Sequence, residues 1–222
     1  LVSFTFLFGQ NTVRKDYRPD NFSSINASFI YDIEVFKGKT HTVKLEVPQD
    51  LANDIQVNVS DNTLYLGVSR EWWRTAKHVL GDRQKIKARI TMPDLEGFHL
   101  SNAAFLVTRD KFSPSNFIVK MTGASQAEVT IMTHAANLDI NGASELEISG
   151  LATKTKAYVS GASILRYNQE TDQIELKASG ASTVVMNGSS TSASLTVSGA
   201  SHVKARGFVT EDMDIRCSGA SS

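Results

Sequence analysis

Residues 70 to 78 hold the densest collection of groups able to grip a ligand. Trp72 and Trp73 stand side by side, flanked by Arg70, Glu71, Arg74, Lys77 and His78. Aromatic faces stack on sugar rings, and an arginine beside them can bind an acidic sugar or a carboxylate through paired N–H donors. Trp72, Trp73, Arg70 and Arg74 are therefore the ligand-binding candidates. The plainer reading of the two tryptophans is that they plug an end or flank of the fold.

The carboxylates come next. Asp139, Glu145 and Glu147 lie near one another in the chain, as do Glu170 and Asp172, and Glu211, Asp212 and Asp214. Glycoside cleavage uses two acids about 5 to 9 Å apart, so these groups are where catalysis would be sought. Charged residues on the solvent face of a repeat fold are the default, however, and no catalytic residue is assigned. His41, His78, His99, His134 and His202 are scattered without metal-ligand spacing. Cys217 is the sole cysteine, which excludes an internal disulfide and a cysteine-based zinc site; it falls in an apolar column and is expected in the core. No glycine-rich turn leads into a helix as a phosphate loop does, and no Gly-Gly-x-Gly-x-Asp calcium run occurs. The expectation is no metal and no cofactor.

Composition narrows the class. The 222 residues carry 23 basic and 23 acidic side chains, a formal net charge of zero, so no electrostatic footprint for nucleic acid or an anionic membrane exists. Hydrophobic residues make up 41%, enough for a core, and no stretch approaches the roughly 18 to 20 apolar residues of a membrane span. The opening Leu1 to Gln10 admits two readings. Alternation at Val2, Phe4, Phe6 and Phe8 is strand periodicity, and the same apolar run suits the tail of a secretion leader.

The element that must position any site is a repeat. Gly-Ala-Ser begins at Gly123, Gly142, Gly161, Gly180, Gly199 and Gly219, with spacings of 19, 19, 19, 19 and 20. Ser101-Asn102-Ala103-Ala104 is a weaker copy upstream. Aligned on the glycines, apolar columns appear four and two residues before (Leu138 and Ile140, Leu195 and Val197) and four and six after (Leu146 and Ile148, Val184 and Met186). Each unit is thus two short period-2 strands around a corner. A second glycine follows eight residues later at Gly150, Gly188 and Gly207. One unit cannot bury its own apolar face, but stacked units can. The prediction is an all-β fold, a parallel β-helix or solenoid of 19–20-residue coils over residues 101–222. The serine column (Ser125, Ser144, Ser163, Ser182, Ser201, Ser221) shares the inward parity, and the residue before each glycine faces outward. A terminal coil exposes a strand edge, so a homo-oligomer, or capping by the N-terminal segment, is expected.

Residues 1–100 read as a β-rich cap or irregular first coils, continuous with the solenoid. Strands are expected over 29–36, 41–47, 55–59, 63–69 and 86–92, with a hairpin turn at Asp61-Asn62 and a short helix near Trp73 to Leu80.

The run Asp32-Ile33-Glu34-Val35-Phe36-Lys37-Gly38, the Val43-Lys44-Leu45-Glu46-Val47 strand, Asn62-Thr63-Leu64-Tyr65-Leu66 and Ile90-Thr91-Met92-Pro93-Asp94-Leu95, followed by serial small-residue corners, resembles the "putative auto-transporter adhesin, head GIN domain" family. The likeness covers about residues 22–222; this chain has Ser-Gly-Ala-Ser where the family usually has Gly-Ser-Gly corners. The resemblance implies a β-helix and export to the periplasm, outer membrane or cell surface of a Gram-negative bacterium. It implies no catalytic residue. The expected function is a non-enzymatic surface or periplasmic module binding a glycan or a protein. The alternative is a carbohydrate-active β-helix enzyme of the polysaccharide-lyase kind, which would need acids and cations converging on one lateral face.

Overall fold

The corner glycines turn the chain because nothing larger fits them. The computed structural model describes residues 12–69, 71 and 85–222. In it Gly142 and Gly161 have φ of +81° and +73°, and a Cβ on Gly161 would lie 2.4 Å from the Gly142 carbonyl oxygen. That oxygen accepts the Ala162 N–H at 2.7 Å, and Ala143, Ala181, Ala200 and Ala220 repeat the bond from coil to coil. Close stacking and positive φ together demand glycine.

Between corners the chain is extended. The regular coils are β11 (Gln126–Ile140), β12 (Glu145–Val159), β13 (Ile164–Ala178), β14 (Thr183–Val197) and β15 (His202–Cys217), paired in parallel in that order. Each strand bends around a second corner, where His134, Thr153, Asp172, Thr191 and Glu211 are skipped by the ladder. Inward parity shifts by one there, from Thr133 to Ala136 in β11. Gly150 and Gly188, with φ of +113° and +104°, add a kink a few residues earlier.

Ahead of these coils lie β1 (Thr12–Tyr17), β2 (Ser24–Ala27), β3 (Tyr31–Lys37), β4 (Thr42–Pro48), β5 (Ile55–Ser60), β6 (Thr63–Val68), β7 (Ile86–Met92), β8 (Gly97–Leu100), β9 (Phe105–Thr108) and β10 (Asn116–Met121). A one-turn 3-10 helix, Gln49–Leu51, follows β4. On one side β6, β2, β8 and β10 stack in parallel and continue into the second half of β11. On the other, β7, β3 and β9 continue into its first half. Antiparallel pairs finish this end: β4 on β7, β1 on β4, and the β5–β6 hairpin. That hairpin turns at Asp61 and Asn62, with φ of 48° and 59°, as a tight two-residue turn requires.

Apolar side chains fill the lumen from Phe22 to Phe208. Ser125, Ser144, Ser163, Ser182 and Ser201 are buried beside them, with Ser125–Ser144 and Ser182–Ser201 Oγ pairs at 3.2 Å. Tyr31 donates to the Gly67 carbonyl at 3.0 Å and Tyr167 to Thr155 Oγ1 at 3.1 Å, so neither buried phenol is left unpaired. Burial pushes both hydroxyl pKa values up.

Three expectations change. Cys217 is exposed, not in the core: its column faces inward, but among the described residues β15 is the outermost coil and pairs with β14 alone. Gly207 does not share the Gly150–Gly188 column, because a register shift between Val185 and Asn187 sets it opposite Asn187. The strand expected from residue 29 begins at Tyr31, since Phe29 turns the chain with φ of 87°. The Leu1 to Gln10 run and the short helix expected near Trp73 to Leu80 lie outside the described residues.

Candidate functional site

Trp72, Trp73, Arg70 and Arg74 also lie outside the described residues. The ends of their segment are tied down: Ser69 N–H donates to the Asp54 carbonyl at 2.8 Å, and Ile86 N–H to that of Ile30 at 3.2 Å. The segment therefore links β6 on one lateral side to β7 on the other.

A groove with mixed aromatic and polar lining lies on the β6–β2–β8–β10 side. Strand registry there aligns two outward rows. The first runs Thr63, Ser24, Gly97, Ile118, and the second Tyr65, Asn26, His99, Lys120. Gly97 has no side chain at the middle of the first row, and none could fit, because a Cβ would lie 2.2 Å from the Ile118 carbonyl oxygen. The missing side chain leaves a shallow groove of about 410 Å³ bordered by Tyr65, His99, Ile118, Lys120, Asn116 and Glu96. Tyr65 and Ile118 are 39% and 49% exposed, so both present apolar surface to a ligand in the groove. Adjacent strands are roughly 4.8 Å apart, so Tyr65 and Lys120 stand about 14 Å from each other.

Chemically the groove offers an aromatic face, an aliphatic wall, two amides, an imidazole and an ammonium. Glu96 is held at the rim, accepting from the Ser23 hydroxyl, which in turn accepts from the Asn62 amide. Such a floor suits a flat polyhydroxylated ligand with one apolar face. The second row continues beyond Lys120 through Asp139, Tyr158, Lys177, Thr196 and Arg216. Tyr158 is 44% exposed, with the Lys177 ammonium 5.3 Å over its ring.

Sequence inspection missed this groove. Its residues come from four strands distant in the chain, each an ordinary outward position until registry places them side by side. Only the outward parity of a tyrosine at Tyr65 gave a sign.

On the opposite side charges alternate across the ladder as Arg14, Glu46, Lys87, Asp32. Glu34 holds Arg109 at 2.6 Å and Arg89 at 3.1 Å, and these bonds, Arg109's first, lower its carboxyl pKa. Of the acids singled out above, Glu145 pairs with Arg166 at 2.9 Å, Glu147 accepts from Asn168 at 3.3 Å, and Asp139 accepts from Asn141. Glu170, Asp172 and Glu211 line an open furrow of about 570 Å³ along the second corner. Among the described residues no three His, Cys, Asp or Glu side chains converge as a metal site would need, and no helix is long and apolar enough to cross a membrane.

Fold and surface together define a parallel β-solenoid with a shallow lateral groove. More narrowly, the chain belongs to the family described as "Putative auto-transporter adhesin, head GIN domain", whose model matches residues 21–169 and 164–222. No curated protein matches it. Among solved structures it is similar to a "putative adhesin" from Bacteroides fragilis, with TM-score 0.73 and 17% identity over 95% of this chain and 98% of that one. A "putative adhesin" from Parabacteroides distasonis gives TM-score 0.72 and 14% identity over 95% and 96%. A "Putative lipid binding protein" from the same species gives 0.57 and 11% over 94% and 97%. At these identities the likeness is one of fold.

Proposed function

We propose that the chain is an exported, non-enzymatic surface module that binds glycan in the lateral groove between Tyr65 and Lys120. The observation that carries this reading is the alignment of exposed Tyr65 with Asn26, His99 and Lys120 over a floor emptied by Gly97. An aromatic face with convergent polar groups is how concave sites orient a ligand. Membership of an adhesin family supports surface display and a binding role. Trp72, Trp73, Arg70 and Arg74 remain a second candidate contact, on the segment that leaves β6 four residues after Tyr65. Against the lyase reading, the candidate acids Asp139, Glu145 and Glu147 are each hydrogen-bonded, by Asn141, Arg166 and Asn168 respectively.

The test is a glycan-array screen of the full chain, followed by titration of the best binder. Tyr65→Ala and Lys120→Ala should each weaken binding at least tenfold with an unchanged melting temperature. Trp72→Ala/Trp73→Ala measures the second candidate separately. Binding that survives Tyr65→Ala, or release of unsaturated sugar ends above a heat-killed control, would overturn the proposal.

A further inference from the structure

The formal net charge of zero conceals a division of charge between the two lateral sides. On the groove side, the outward residues of β10 and of the second halves of β11 and β12 include Lys120, Lys154 and Lys156 against Asp139 alone. On the opposite side, the first halves of β11 and β12 present Glu128, Glu145 and Glu147 with no cation among them. Among the described residues no acid lies within ion-pair distance of Lys120 or Lys154. Lys156 stands 3.9 Å from Glu175, which Lys177 holds at 2.7 Å.

These lysines prolong the groove. Its first row, which ends at Ile118 in β10, runs on through Asn137 to Lys156, and beside it a further row runs Asn116, Ala135, Lys154. Short side chains at Ser24, Gly97 and Ala135 keep the floor low. Asp139 accepts from the Asn141 amide, which ties its carboxylate toward the corner and off the line from Ile118 to Lys156. From Thr63 to Lys156 the row crosses five strand spacings, about 24 Å. Glu175 stands at the next step and closes the track.

We propose that the ligand of this track is a linear anionic polysaccharide laid along the solenoid axis, with Tyr65 at one end and Lys154 and Lys156 at the other. The inference rests on the glycan reading of the groove and adds the charge, length and direction of the glycan. A pyranose ring linked across its opposite sides advances a chain by about one strand spacing, so the track holds about six rings. Lys120 and Lys156 lie two strands apart, about 10 Å along the axis, which matches one carboxylate or sulfate per disaccharide. Tyr65 and Ile118 offer apolar surface to ring faces, and the amides of Asn26, Asn116 and Asn137 offer partners to hydroxyls. A nucleic acid, charged at every phosphate, suits the track less well, because Asp139 and Glu175 interrupt the line of cations.

The probes are galacturonate fragments of about three and about seven rings, which span the groove alone and the whole track at one ring per strand spacing. The longer fragment is also used fully methyl-esterified, and a chondroitin sulfate fragment matches its length. In calorimetric titrations of the full chain, the long galacturonate or the sulfated fragment should bind at least tenfold more tightly than the short and the esterified ones. The gain should shrink as salt rises, and whichever anionic fragment binds more tightly names the charged group. Lys154→Ala/Lys156→Ala should remove the gain and leave the affinity for the short fragment unchanged. Lys204→Ala/Arg206→Ala, which deletes the same charge from the opposite side, should change neither. A Tyr65-dependent affinity for the esterified fragment with no gain for either anionic one would overturn this inference and leave the glycan reading standing. Absence of any Tyr65-dependent affinity would overturn both. Indifference to Lys154→Ala/Lys156→Ala, or equal affinity for a single-stranded oligodeoxynucleotide of the same charge, would overturn the anionic polysaccharide alone.

Discussion

Replacing Gly161 with valine tests the corner more severely than any core truncation. The residue has φ of +73°, and a new Cβ would meet the Gly142 carbonyl oxygen at 2.4 Å and its nitrogen at 3.0 Å. Forcing a side chain into that backbone region costs about 1 to 3 kcal/mol. Relieving the overlap moves the oxygen that accepts the Ala162 N–H at 2.7 Å, and a backbone group left unpaired away from water costs about 1 to 3 kcal/mol more. The expected loss is therefore about 2 to 6 kcal/mol. For a chain of this size each kcal/mol lowers the melting temperature by about 2 to 4 °C. Thermal melts followed by far-ultraviolet circular dichroism should show Gly161→Val down by at least about 4 °C by this arithmetic, with Lys177→Val, on an outward position, nearly unchanged. Gly161→Asn separates the two causes. Asparagine tolerates positive φ, so conformational strain alone predicts a mild variant, whereas overlap with the Gly142 oxygen predicts one almost as damaged as valine. Equal melting temperatures for Gly161→Val and Lys177→Val would refute the stacked-corner argument.

Three further outcomes are expected. Glu34 has a carboxyl pKa lowered below its ordinary 4.5 by Arg109 and Arg89; its stabilising effect is present above pH 4.5 and is lost as pH falls through the lowered value, so Glu34→Gln should lower the melting temperature slightly at neutral and alkaline pH and converge with the wild type at acid pH, flattening the acid limb of the profile. Gln169 is buried with neither amide atom bonded to another described residue, so Gln169→Leu should stabilise the fold by about 1 kcal/mol or more in urea titrations, and a destabilised variant would refute this. Deleting residues 161–179 removes one full coil and joins Ser160 to Gly180; the product should stay folded with a β spectrum and a smaller hydrodynamic radius, and loss of all structure would contradict coil-by-coil stacking.

The repeat half was legible because its chemistry is local and redundant. Five superimposed copies fix the inward row at Leu146 and Ile148, and parity carries the same assignment to Ser144 and Ser163, both buried in the structure. Parity could not say that Cys217 is exposed, since exposure depends on what lies beyond its own strand. Nor could an alignment on glycines reveal that β15 slips at Val185/Asn187 and moves Gly207 out of its column. In the first half Asp61-Asn62 announced its hairpin, but β2, only four residues long, and β8 carry too few alternations to stand out. The groove depends on those two short strands. Tyr65 and His99 become neighbours only through the pairing of β6 with β2 and of β2 with β8.

The corner bonds from Ala143, Ala162, Ala181 and Ala200 all point toward the preceding coil, parallel to the long axis of the molecule. Tension along that axis, as on a tethered surface protein in flow, would pull each bond in line and load the coils one after another. Strands sheared lengthwise share a force across a whole ladder; coils pulled apart end to end do not. Under a rising pull the molecule should therefore peel from the β15 end in discrete steps. Each step would release about 65 Å of chain from one 19-residue coil. Such a module acts mechanically as a graded extender, lengthening by instalments at low force where a single cooperative domain would hold and then fail at once.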